Sequence, residues 1–388
     1  MPIITPDYYD ISGLLTEEER LLRDTVRAFV DEEILPIIEH HYREGTAPLE
    51  LNKRFGDLGI FGATIPEEYG GGGMNSMCYG LINMEMERGD SAVRSTVSVQ
   101  SSLVMYPIWQ YASEELKRHW LPQLASGDAV GCFGLTEPDF GSNPSGMITN
   151  ARETDSGYVL NGAKMWITNG TLADIAVVWA KLDGVVRGFM VEKGTPGFTA
   201  PEMKGKHSLR ASVTSELVFQ DCEIPKTHIM PGVQGLRGPL SCLNQARYGI
   251  SWGAIGAAIA CFESSVKYAT TRIQFDKPIG GFQLVQEKLV WMLNEITKAQ
   301  LLCWRLAQLK DSGNVRPQQI SLAKRNNVWM ALECARLARE IHGANGILDE
   351  YPVMRHAANL ESVKTYEGTH DIHTLILGQD ITDLAAYN

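Results

Sequence analysis

Apolar positions along the first 128 residues recur at helical spacing. In "LTEEERLLRDTVRAFVDEEILP", Thr16 and Glu19 are placed as a capping box, with Leu14 or Leu15 placed to staple it. Leu21, Leu22, Val26, Phe29 and Val30 then form one stripe. "IPEEYGGGGMN" interrupts the pattern as a loop, and helices resume through "LINMEMERGD", "STVSVQSSLVMYPIWQYA" and "SEELKRHWLPQLASG". From 129 to 237 the texture changes to short β-branched and aromatic runs, among them "GYVLNGAKMWITNG", "IAVVWAKL", "VRGFMVEKG" and "SELVFQDCEIP". Gly, Asn, Asp and Pro separate them, which predicts antiparallel strands joined by turns. From 238 to 388 the period is helical again and the helices are long. The class is therefore α+β and mostly α. Its units are an N-terminal helical domain (1–128), a central antiparallel β domain (129–237) and a C-terminal helical bundle (238–388).

This order excludes an alternating βα dinucleotide domain. "GGGG" at 70–73 lacks the spacing and the Lys-Ser/Thr of a phosphate loop. "GAIGAA" at 253–258 reads as a place where two helices approach closely, and "HGANG" at 342–346 as a helix C-cap and turn. The stretch "VKTYEGTHDIHTLILGQDIT" at 363–382 reads as one amphipathic helix with Val363, Tyr366, Ile372, Leu375, Ile376 and Ile381 as its apolar positions. Glu367 is out of place there, because Gly368 and Thr369 follow it and helix propensity is poor. Taken alone it is a surface carboxylate. His370, Asp371 and His373 put two imidazoles three apart on a helix, a spacing that can bind a metal. No third and fourth ligand is suggested elsewhere, so no metal is expected.

Net charge is −11, which argues against a general nucleic-acid binder. The seven cysteines are odd in number and form no C-x-x-C, as expected of reduced thiols. The N-terminus is acidic and lacks a basic start followed by an apolar run, and no segment is read as a membrane span. A soluble, cytoplasmic protein is the expectation.

Three stretches carry a resemblance: "GCFGLTEPDFGSNPSGM" at 131–147, "KMWITNG" at 164–170 and "YEGTHDIH" at 366–373. Together, over essentially the whole chain, they resemble the acyl-CoA dehydrogenases. "SVQSSLVM", "SLRASVTSELVF" and "CLNQARYGISWGAIGA" are similar to the glutaryl-CoA dehydrogenases among them. The resemblance implies the same three-domain fold with a C-terminal four-helix bundle, FAD as cofactor and a homotetramer built as a dimer of dimers. It also implies electron-transfer flavoprotein as the electron acceptor.

By the same resemblance Glu367 is the base that removes the α-proton of a thioester. Gly368 would allow close approach, the Glu367 N–H would meet the thioester oxygen where enolate charge develops, and Tyr366 would help desolvate the carboxylate. Phe133, Leu135, Thr136, Gly141 and Ser142 match the loop along the flavin, with Ser142 also near the CoA phosphates. Trp166, Ile167 and Thr168 match the strand that covers the flavin. Arg272, Phe275 and Gln283 match residues that hold the FAD of a neighbouring subunit. Glu340, Ile341, Gly343 and Ala344 match a segment near the adenosine, and Thr369, His370 and Asp371 match residues beside the FAD pyrophosphate or adenosine. Leu240, Asn244 and Arg247 match the stretch along the CoA arm.

"MERGDSAVRSTVSVQSS" at 86–102 bears on the acyl chain. Arg94 and Ser95 match the glutaryl-type pocket, and Glu87 lies about two turns earlier if the helix runs through. A buried carboxylate needs a paired charge, so Arg94 points to glutaryl-CoA. Val93 stands where decarboxylating relatives carry Tyr, so the expected product is glutaconyl-CoA, without decarboxylation. The alternatives are crotonyl-CoA with CO2, or dehydrogenation of another short acyl-CoA.

Overall fold

A computed structural model describes residues 5–386. The helical start consists of α1 (Glu17–Phe29), α2 (Leu35–Glu44), α3 (Leu51–Asp57), α4 (Ser76–Gly89), α5 (Ser91–Ser98), α6 (Tyr106–Tyr111) and α7 (Glu114–Ala125). The capping box at Thr16 forms: the Glu19 N–H donates to Thr16 Oγ1 (3.2 Å) and the Thr16 N–H to Glu19 Oε2 (2.9 Å). Leu15 is buried and Leu14 exposed. Leu21 does not join the buried stripe; at five residues from Val26 it is rotated about 140° off that face and meets solvent.

Seven strands follow: β1 (Gly131–Gly134), β2 (Asn150–Glu153), β3 (Gly157–Thr168), β4 (Ile175–Leu182), β5 (Val185–Glu192), β6 (Phe198–Thr199) and β7 (Thr214–Pro225). They form one sheet in the order β1-β4-β2-β3-β7-β6, with β5 also on β4. β3 with β7 and β4 with β5 run antiparallel, as the sequence predicts. β1 and β2, however, pair with β4 in parallel. Both reach it through long crossovers rather than tight turns, which is what permits the parallel arrangement.

The last region contains α8 (Arg237–Thr271), the short strands β8 (Ile273–Gln274) and β9 (Lys277–Pro278), α9 (Gln283–Asp311), α10 (Pro317–Ile341), α11 (Pro352–Thr365) and α12 (His370–Thr382). Two sequence expectations need correction. Residues 363–382 are not one helix, because the chain breaks between α11 and α12. Glu367 and Gly368 take positive φ values of 54° and 94°, and Thr369 caps the new helix. No membrane-length apolar segment was expected, yet α8 is long and apolar enough; 89% of its apolar window is buried inside the protein, so the core uses that surface.

One apolar core joins α1, α4 and α5 to α8, α9, α10 and α11; a second joins α6 and α7 to β1, β4 and the start of α8. The glycines of α8 set how close α4 comes. A Cβ on Gly256 would fall 1.8 Å from the Met84 carbonyl oxygen, and one on Gly253 would fall 2.0 Å from Glu87 Oε2. Gly256→Ala is therefore expected to destabilise the protein by about 1–3 kcal/mol. Chemical unfolding checks this: a lowered midpoint is expected, and an unchanged one would show that the two helices can part without cost.

Candidate active site

The centre of the site is the break between α11 and α12. A non-glycine residue in the left-handed region costs roughly 1–2 kcal/mol, so Glu367 needs outside support. It comes from two buried cations. Arg247 on α8 donates Nε–H to the Glu367 carbonyl (2.8 Å), and Lys324 on α10 donates to the carbonyls of Tyr366 and of Gly368 (2.6 Å to the latter). Three consecutive carbonyls are thus held from two different helices. Gly368 is required twice over, by its φ and because a Cβ there would press on His373 and Arg247.

The Glu367 residue is only partly buried, but its Oε2 is sealed from solvent and has no hydrogen-bond partner. Desolvation raises the carboxyl above its ordinary value, against the opposing pull of Lys324, Arg94 and Arg247. Burial draws the Lys324 ammonium down to about 7, with Glu367 acting in the other direction.

Beyond Tyr366 lies a second polar centre. Arg94 is fully buried; its Nε donates to Glu87 Oε2 (2.6 Å) and a terminal nitrogen donates to the Tyr366 hydroxyl. Ser91 Oγ donates to the other oxygen of Glu87 (2.8 Å). Burial opposes the guanidinium charge, but Glu87 outweighs it and keeps Arg94 protonated. The helix does not run through from Glu87 to Arg94, as the sequence reading supposed. It breaks at Asp90, which caps α5 and takes hydrogen bonds from Arg355 and Asn359 on α11. Ser95 is buried on the next position of α5. Val93 is buried too, but lines a small cleft with Ala47, Pro48, Leu49, Asn52, Phe55, Thr96 and Asn169.

A third group forms on the β domain. Lys164 and Glu137 make a buried ion pair (2.8 Å), and Glu137 also accepts from the backbone N–H groups of Ile148 and Thr149. This pins the loop that follows β1. Thr136 is half-buried there, its carbonyl accepting from the Met165 N–H (2.8 Å). Next to it β3 is irregular between Lys164 and Ile167, Trp166 has φ 65°, and its indole stands 62% exposed. Thr168 is half-buried. Phe133, Leu135 and Ile167 point into the core, so only their backbone can face a ligand. Gly141 and Ser142 are exposed on the loop.

The structure therefore joins Glu87, Arg94, Tyr366, Glu367, Gly368 and Arg247, with Asn244 3.4 Å from Arg247 and Leu240 exposed one turn further along α8. Thr369, His370 and exposed Asp371 open α12 beside them. Arg272, Phe275 and Gln283 are not in this group. They are exposed at and just beyond the far end of α8, where Arg272 is roughly 37 Å from Arg247 at 1.5 Å per helical residue. Glu340, Gly343 and Ala344 are exposed at the end of α10, where Glu340 pairs with Lys288, while Ile341 is buried. Among the described residues no set of three or more His, Cys, Asp or Glu is placed to hold a metal. Sequence reasoning missed Lys324, whose interior position in α10 gave no signal. It read Gly253 as helix packing alone, although the missing Cβ also makes room for Glu87 and Arg94.

Family models for the acyl-CoA dehydrogenase N-terminal, middle and C-terminal domains match residues 16–128, 132–222 and 233–382. The mitochondrial short-chain specific acyl-CoA dehydrogenase of Rattus norvegicus is 35% identical over 370 residues, 94% of this chain and 90% of that protein. A glutaryl-CoA dehydrogenase from Mycobacterium smegmatis, solved with FADH2, is 52% identical with a TM-score of 0.98, over 99% of this chain and all of the other. A glutaryl-coenzyme A dehydrogenase solved with glutaryl-CoA is 34% identical with a TM-score of 0.91, over 95% of this chain and 96% of the other. With matches to all three domains and to relatives along almost its full length, the chain belongs to the acyl-CoA dehydrogenase family.

Proposed function

We propose that this protein is an FAD-dependent dehydrogenase of glutaryl-CoA, with Glu367 as the base. The observation that carries the reading is the pairing of two centres across Tyr366: a partly buried carboxylate with one oxygen, Oε2, sealed and unpartnered, and a buried guanidinium. The first suits proton removal next to a thioester. The second suits an acyl chain that ends in a carboxylate, for which a neutral tail would have no use. The similarity to glutaryl-CoA dehydrogenases supports the same substrate.

The residues fit a flavin. An exposed indole on a strained strand is an unusual surface, and it stands beside half-buried Thr136 and Thr168. Thr136, Trp166, Thr168 and the backbone of Phe133, Leu135 and Ile167 would hold the ring. Thr369, His370 and Asp371 would serve the nucleotide end, while Glu340, Ile341, Gly343 and Ala344 lie with Arg272 at the far end of α8, where His342 stacks on Tyr268, and would serve the nucleotide of a neighbouring subunit. FAD, when bound, supplies the acceptor for the hydride lost from the β-carbon. Arg272, Phe275 and Gln283, at and beyond the far end of α8, lie too far away to reach this site in their own chain, which supports a shared site in a dimer of dimers. Electron-transfer flavoprotein is the proposed acceptor, and the cytoplasm the proposed compartment.

Glu367 takes the α-proton. Desolvation makes it more basic than an exposed carboxylate, and the held turn fixes where it stands. Leu240, Asn244, Arg247 and Ser142 would line the CoA arm, while Arg94 and Ser95 receive the distal carboxylate.

The fate of that carboxylate separates two readings. Val93 led to an expectation of glutaconyl-CoA, on the ground that Arg94 would be free to grip both oxygens. The geometry favours the other. Glu87 and the Tyr366 hydroxyl already share the Arg94 guanidinium, and Val93 lines a separate cleft. Glu87 offsets part of the Arg94 charge, so the substrate carboxylate is held less tightly than by an unshared guanidinium. Loss of CO2 leaves its electron pair conjugated with the thioester, and the proton that Glu367 had taken returns at the γ-carbon to give crotonyl-CoA. Carboxyl-labelled glutaryl-CoA tests this: stoichiometric labelled CO2 is expected, whereas labelled glutaconyl-CoA would restore the Val93 argument.

Glu367→Gln should keep its flavin absorbance and bind glutaryl-CoA, but flavin reduction should slow by about 10²–10⁴-fold. Reduction at an unchanged rate would assign the base elsewhere. Because burial raises the Glu367 carboxyl, the acidic limb of the reduction rate in the wild-type protein should lie above the ordinary carboxylate value of 4.5. Stopped-flow reduction across pH reads that limb. Arg94→Met, made with Glu87→Gln so that no unpaired carboxylate stays buried, should weaken glutaryl-CoA by about 1.5–3 kcal/mol and butyryl-CoA little. Equal losses in a binding titration would make Arg94 structural.

A further inference from the structure

Lys324 has an unusual environment for a lysine. It sits inside α10 at 1% exposure, and no carboxylate lies within ion-pair distance of it among the described residues. Its hydrogen-bond acceptors are the carbonyls of Tyr366 and Gly368, the two neighbours of Glu367. Its ammonium also lies 5.9 Å from the centre of the Tyr366 ring. A buried, unpaired ammonium is expensive. If the only task were to satisfy two carbonyls, a neutral amide side chain would serve at lower cost. The location of the charge, against the one segment that carries Glu367, asks for a reason.

We propose that Lys324 is a positioning residue for the Glu367 base, gripping the backbone on both sides of it and, in its ammonium form, placing a positive charge beside its carboxylate. The inference rests on the dehydrogenase reading given above. The grip addresses the strain: Glu367 has φ 54° and Gly368 94°, and a chain in that conformation relaxes unless its ends are tied. Arg247 ties the middle carbonyl from α8, and Lys324 ties the outer two from α10. Neither cation touches the carboxylate itself, so Oε2 stays free to accept a proton.

The charge addresses basicity. The ionisable groups around Lys324 are Glu367 and Tyr366 in the turn, Arg247 on α8, Arg94 on α5, and His370 and His373 on α12. Arg94 is already matched by Glu87, and burial holds both histidines neutral. Lys324 is the largest charge effect on Glu367, and it favours the carboxylate. Burial alone would leave Glu367 protonated over a wider range of pH; the cation limits this, so that a base remains available.

The test uses the flavin-loaded holoenzyme and 3-thiaglutaryl-CoA, in which sulfur replaces the β-carbon, so that the distal carboxylate is kept and only α-proton removal can occur. Exchange of the α-hydrogens in D2O is followed by NMR across pH. Lys324→Met, which removes the donors and the charge, should slow exchange by about a hundredfold, as a misplacement of about 1 Å would. Its acidic limb should also move to higher pH. Lys324→Gln should recover part of the rate through its neutral N–H donors but keep the shifted limb, and it serves if the Met variant does not fold. Flavin absorbance and the unfolding midpoint show that each variant is intact. Exchange at the wild-type rate overturns the inference, and so does slowed exchange with an unmoved limb; both leave Glu367 as the base. Absence of exchange in the wild-type protein removes the dehydrogenase reading, and this inference with it.

Discussion

The site depends on buried positive charge placed against a strained turn. Glu367 stands where the backbone is least comfortable, between two helices that could otherwise have been one. Arg247 and Lys324 bind its carbonyls rather than its carboxylate, which fixes the residue while leaving its acid-base group unpartnered. Had either cation paired with the carboxylate directly, the turn would be stable but the carboxylate would be less basic. The close approach of α4 to α8, allowed by glycines at 253 and 256, brings Glu87 and Arg94 up to the same turn through Tyr366.

Much of the fold was legible from periodicity. The change from a helical spacing to alternating runs and back again marks where helices give way to the sheet and resume. The capping box at Thr16 was legible because it needs only four residues. Glu367 was marked by Gly-Thr after it, but the apolar spacing of Val363, Tyr366 and Ile372 suggested a continuous helix. Spacing reports which side faces the core, and a four-residue interruption hardly disturbs it.

What stayed hidden was set by distant partners. The break at Asp90 is held by Arg355 and Asn359, more than 260 positions away, and it brings Arg94 back onto Glu87. Lys324 looks like any helix-surface lysine until α10 is packed against the turn at 366–368. Val93 shows how sequence adjacency differs from spatial adjacency. A residue next to Arg94 in sequence is turned about 100° from it on a helix, and here it meets a different cleft.

An anaerobic titration of the flavin-loaded protein with glutaryl-CoA is the most direct test of the central claim, that an unpartnered carboxylate and a buried guanidinium together select and deprotonate a carboxylate-tailed thioester. The account predicts that the flavin absorbance bleaches with glutaryl-CoA, and far less readily with butyryl-CoA at the same concentration. Bleaching by butyryl-CoA but not by glutaryl-CoA would contradict it.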